Sequence, residues 1–129
     1  MLQNDEIIKY RFYRAKETIE EAKLLASDNR WNTCVNRLYY ACFYAVIGLL
    51  FKKGLKSKSH SGARTLFTKE FIKTGQVANN YGILYGDLFN KRQESDYKDL
   101  QRFTQADIAH LIPQAEEFIE AIKNLVKIA

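Results

Sequence analysis

The sequence predicts an all-α protein, an up-and-down bundle of four to five antiparallel helices forming one domain over residues 1–129. Three observations carry this expectation. Apolar residues recur at helical spacing along the chain, and no stretch shows the alternation of a strand. One Pro and six Gly stand among many Lys, Glu, Leu and Ala, a helix-favouring composition. Finally, Leu38 to Phe51 is an uncharged run of about 14 residues, short of the roughly 20 needed to cross a bilayer. A helix apolar over most of its circumference is one that other helices surround.

Helix 1 is expected from about Asn4 to Ser27. Ile8, Phe12, Ala15, Ile19 and Ala22 form its apolar stripe, and Arg11, Arg14, Thr18 and Glu21 a polar face. Asp5 and Glu6 suit the positive end of its dipole. Ser27-Asp28-Asn29 breaks the pattern, and Asp28 or Asn29 can cap the next helix. Helix 2 is the central one, from about Arg30 to Lys53, ended by Gly54. Trp31, Val35, Leu38, Cys42, Val46 and Leu49 make one stripe; Tyr39, Phe43, Ile47 and Leu50 make a second beside it. Its buried tyrosine hydroxyls need partners. Helix 3 runs from about Ser61 to Lys73 and stops at Thr74-Gly75. Helix 4 begins near Val77 or Asn80, reaches Lys91 or beyond, and groups Tyr81, Leu84, Tyr85 and Leu88 on one face. Helix 5 runs from Thr104 to about Lys127. Thr104 and Asp107 resemble a capping box at its start, and Pro113 is expected to kink it.

The net charge of +5 is concentrated. Residues 52–73 carry Lys52, Lys53, Lys56, Lys58, Arg64, Lys69 and Lys73 against Glu70 alone, a local +6, while the other 107 residues sum to −1. Such clustering suits a phosphate-bearing partner, although a solvated lysine-rich face has the same composition. Cys34 and Cys42 fall eight residues apart on one helix, about 12 Å along its axis, and cannot bridge each other. Two thiols without an export signal at the N-terminus point to the cytoplasm, with no membrane partner. No CxxC or Cys/His cluster is present, so neither a metal nor a cofactor is expected.

The most informative local pattern is Asn90-Lys91-Arg92-Gln93-Glu94-Ser95-Asp96-Tyr97. If helix 4 continues, Arg92 and Asp96 extend the stripe of Leu84, Tyr85 and Leu88. An arginine held toward the core and positioned by a carboxylate is suited to gripping a phosphate at two points. Tyr97 adjoins it and can donate a hydrogen bond or stack on a base. A plain surface Arg–Asp pair ending a helix would give the same spacing. His60 and His110 are the only histidines. His60 lies in the basic loop between Ser59 and Ser61, where it could join backbone N–H groups around a phosphate or merely cap a helix. His110 falls outside the apolar stripe and is expected to be exposed.

Taken together, NRLYYACFYAVIGLL, then KSKSHSGARTLFTKEFIKTG, then LFNKRQESDY resemble the HEPN family of small helical proteins. The similarity spans roughly residues 8–125 and is greatest to compact free-standing prokaryotic members. The resemblance implies a bundle of four main helices plus a short one, and a homodimer whose arginine-bearing segments line one cleft. It also implies a minimal nucleotidyltransferase as partner in a toxin–antitoxin pair. Active members are metal-independent endoribonucleases whose motif is Arg, four to six residues, then His. Arg92 matches that arginine, but Tyr97, Lys98 and Asp99 occupy the positions of the histidine. Asp96 could then act as a weak base and Arg92 could stabilise a pentavalent phosphate. His60 could supply the missing acid.

The expectation is therefore a HEPN-type module binding a nucleotide or RNA through Arg92, Lys56, Lys58, His60 and Arg64. The alternatives are an atypical ribonuclease with Arg92, Asp96, Tyr97 and His60 at its centre, and a structural dimerisation domain.

Overall fold

The computed structural model describes residues 2–97 and 102–127; the side chain of Tyr97 lies outside the described set. Among the described residues six α-helices succeed one another: α1 (Leu2–Ser27), α2 (Trp31–Lys52), α3 (His60–Phe67), α4 (Asn79–Tyr97), α5 (Gln105–Ile108) and α6 (Leu111–Leu125). A π-helical turn, Thr68–Ile72, continues α3. No strand occurs among the described residues. The chain is an all-α bundle with α2 at its centre, packed against α1, α4 and α6 and touched by α3 and α5.

The central position of α2 stems from its composition. Cys34, Val35, Leu38, Ala41, Cys42, Ala45, Val46 and Leu49 are all fully buried, as is the aromatic Tyr39. By length and composition α2 could cross a membrane. Here α1, α4 and α6 pack around it and bury most of the uncharged run, as for the core helix of a bundle. Both cysteines are unpaired, and burial raises both thiols, Cys34 to about 11.

Several boundaries differ from the sequence reading for local reasons. Asn29 does not cap α2. It takes a left-handed conformation (φ 59°) and closes α1, with its own N–H bonded to Ala26 O and that of Arg30 to Leu25 O. Thr18, assigned to the polar face of α1, is fully buried, and its hydroxyl has no hydrogen-bond partner among the described residues. The single helix expected after Thr104 is two. Asp107 accepts the Thr104 backbone N–H at 2.8 Å, completing the expected cap, but the chain breaks at Ala109-His110 before α6. Pro113, in the first turn of α6, has no N–H for the Ala109 carbonyl and its ring crowds that carbonyl, which disfavours a straight continuous helix; here the chain breaks instead of kinking.

The C-terminal half of α4 is tied to the start of α2. Ser95 Oγ donates to Asn32 O at 3.1 Å, and Asn32 Oδ1 accepts the Phe103 N–H at 2.8 Å. This fixes the last two turns of α4, the segment bearing Arg92 and Asp96, against α2.

Candidate functional site

Arg92 continues the buried row Leu84, Tyr85 and Leu88 by one turn, so the same periodicity that packs α4 draws a guanidinium inward. It is 6 % exposed. Its Cζ lies 4.8 Å from the ring centre of Tyr39, 5.8 Å from Tyr40 and 5.9 Å from Phe89. Three aromatic faces thus stand where water would have solvated the charge. Asp96, one turn on and more exposed, places Oδ2 3.6 Å from Nη1, an ion pair rather than a good hydrogen bond. The Nε–H of Arg92 is buried with no partner among the described residues. This cation is fixed in position but only partly compensated.

The carboxylate of Asp96 is held from α2. Asn36 Nδ2 donates to its two oxygens at 3.3 and 3.4 Å, and Asn36 Oδ1 accepts from Arg37 Nη2 at 2.8 Å. Arg37 in turn reaches Glu21 at 3.5 Å and stacks over Tyr40 at 5.2 Å. A polar chain therefore runs from α1 across α2 to α4.

His60 joins the same cluster from the other side. It is the first residue of α3, whose N-cap Ser59 accepts the Gly62 N–H at 2.9 Å. Its ring lies 4.4 Å from that of Phe43 and 5.5 Å, edge to face, from Tyr40. Its Nδ1 is 2.9 Å from the hydroxyl of Tyr39, the ring over which Arg92 sits. Burial, and then the nearby charge of Arg92, hold the imidazole below its ordinary value, which favours the neutral form. Burial conversely raises the Tyr39 phenol.

The structure thus brings together Arg92, Asp96 and His60, which the sequence reading had singled out separately. Arg64 lies near them, its Cζ 5.0 Å from the Phe89 ring centre. Lys56 and Lys58 are exposed on the loop before α3, and no hydrogen bond or ion pair ties either to the cluster. His110 is exposed and separate, as expected. The sequence reading missed Tyr39 and Phe89 as parts of the site. The need of a buried phenol for a partner was the available signal for Tyr39.

The model of the HEPN domain matches residues 8–125. The chain belongs to the HEPN family. A UPF0332 protein of Thermotoga maritima is 40 % identical to this HEPN protein over 127 residues, covering 98 % of this chain and 96 % of the relative. "Putative toxin MJ0142" of Methanocaldococcus jannaschii is 31 % identical, covering 92 % and 86 %. The UPF0332 protein glr0978 of Gloeobacter violaceus is 31 % identical, covering 83 % and 86 %.

Proposed function

We propose that this HEPN protein is a nucleotide- or RNA-binding module of a toxin–antitoxin-like pair, acting in the cytoplasm with a minimal nucleotidyltransferase as partner. The observation that carries the reading is the Arg92 guanidinium, buried against three rings and facing a single carboxylate at 3.6 Å, with its Nε–H unpartnered among the described residues. A phosphate offers the paired acceptors that Asp96 does not fully supply. The partner draws support from the family and from the relative named for a toxin.

The module acts as a homodimer in this reading. Tyr40, Phe43, Tyr44, Ile47 and Phe51 leave a half-buried stripe along α2 beside the Arg92 cluster. A second copy seated there would bring two clusters to one cleft. Sedimentation should show a dimer, and Ile47→Glu a monomer.

The test of binding is a gel shift of single-stranded RNA at two salt concentrations. Affinity should fall steeply with salt, since phosphate contacts release counterions, and Arg92→Ala should reduce both the affinity and the slope. Equal, salt-insensitive shifts by both proteins would contradict the reading.

One observation favours a second reading, metal-independent RNA cleavage: the His60 imidazole meets the Tyr39 ring that also carries Arg92, and burial favours its neutral form, although the motif histidine is missing from α4. His60 would take the proton of a ribose 2′-OH, and the 2′-oxygen would attack phosphorus. The P–O5′ bond would break, the leaving oxygen taking a proton from water, to give a 2′,3′-cyclic phosphate and a 5′-hydroxyl. Arg92 would stabilise the phosphorane. Cleavage in EDTA that is lost in His60→Ala supports this reading, and intact RNA removes it.

A further inference from the structure

We infer that Arg64 is a second phosphate seat, built by Gly86 and Phe89, so that the ligand of this face is a single strand with at least two adjacent phosphates rather than a mononucleotide. The inference rests on the reading of Arg92 as a phosphate-gripping residue and extends it to a neighbouring phosphate.

Gly86 lies buried in the interior of α4, where glycine is among the least favourable residues for a helix. Its φ is not in the left-handed region, so the backbone does not require it. What fills the space above it is the Arg64 side chain. A Cβ at position 86 would stand 2.7 Å from Arg64 Nη2 and 3.3 Å from its Cζ. The guanidinium lies against the helix backbone at that point, and Phe89, three residues on, stands 5.0 Å from Cζ. Gly86 therefore leaves room for the Arg64 fork against α4, and Phe89 packs on it.

No hydrogen bond or ion pair links Arg64 to another described residue. A half-buried, positioned arginine without a counter-ion is arranged for an anion supplied from outside, and its planar fork matches phosphate. The groove that Arg64 borders, about 430 Å³, is lined also by Ser61, Thr65, Thr68, Lys69, Lys73 and Phe89, with no acidic residue among the described residues that line it. On the other flank Asp87, which lines a groove together with Arg64, is engaged by Lys91 at 2.8 Å.

Phe89 joins the two seats. Arg64 lies 5.0 Å and Arg92 5.9 Å from the centre of the same ring. Both guanidinium groups border one ring, so a strand crossing this face would meet them in succession, whereas a nucleoside monophosphate can occupy only one of them.

The test compares uridine monophosphate with a short oligouridylate on the wild-type protein, Arg64→Met and Gly86→Ala. Gly86→Ala keeps every charge and suits the helix, but displaces the Arg64 fork. The wild type should bind the oligomer at least tenfold more tightly than the monophosphate. Both variants should lose that margin while keeping monophosphate affinity. Variants that retain the full margin overturn the inference. If the wild type binds neither probe, the reading of Arg92 has failed. The Arg64 Nε–H resonance on addition of inorganic pyrophosphate then decides: a saturable shift that Gly86→Ala abolishes upholds the seat, and an unmoved resonance rejects it.

Discussion

The chemistry of this face comes from a few side chains whose surroundings oppose their ordinary behaviour. His60 is the clearest case. Its folded-state value lies below the ordinary 6.5 because burial and the charge of Arg92 disfavour the imidazolium. The unfolded chain therefore binds a proton more readily than the folded one. The stability carried by neutral His60 is fully present above pH 6.5 and is lost as pH falls below that value toward the lower folded one. Urea melts between pH 7.5 and 5 should show this decline, and His60→Gln should flatten it. An equal slope in the variant would mean that other groups carry it. Thr18 is a second case, a buried hydroxyl with no partner among the described residues. Thr18→Val keeps its shape and removes the orphan, so the urea midpoint should rise, by about 1 kcal/mol in stability. A loss of similar size would show that the hydroxyl is satisfied.

At the scale of elements, the site depends on how α3 and α4 are anchored to α2. Ser59 caps α3 and so sets the position of His60, the residue after it. Ser59→Ala should cost about 1 kcal/mol and release the imidazole from Tyr39; a calorimetric melt together with the His60 proton resonances would check both. How much of this was legible in the sequence differs between helices. The pairing of Arg92 with Asp96 on the buried row of α4 could be read, because it is the helical period carried one turn beyond Leu88. The meeting of His60 with Tyr39 could not, since it depends on where the turn after α2 delivers α3, a matter of loop path and not of period. The role of Gly86 went unread although Gly82 and Gly86 stand four apart in a helix, which is itself a sign of close approach: Ile72 packs on one and Arg64 on the other. The break before α6 was read as a kink because Pro113 is compatible with either outcome.

Over the whole molecule, the apolar pattern specifies the bundle and leaves one side of α2 to the polar chemistry. Leu38, Val46 and Leu49 face the core, and Tyr40 and Phe43 remain half-buried beside Arg92 and His60. The surplus of positive charge in residues 52–73 borders the same region through Arg64, Lys69 and Lys73. The central claim is that Arg92 is held for a phosphate and not merely for packing. The direct measurement is the affinity of wild-type protein and Arg92→Met for one single-stranded RNA, with the melting temperature taken on the same samples. Methionine fills the space among Tyr39, Tyr40 and Phe89 while removing the charge. The account predicts an affinity loss of at least tenfold with a native fold and a melting temperature within a few degrees of wild type. Unchanged affinity, with or without a drop in melting temperature, would contradict it and leave Arg92 a packing residue.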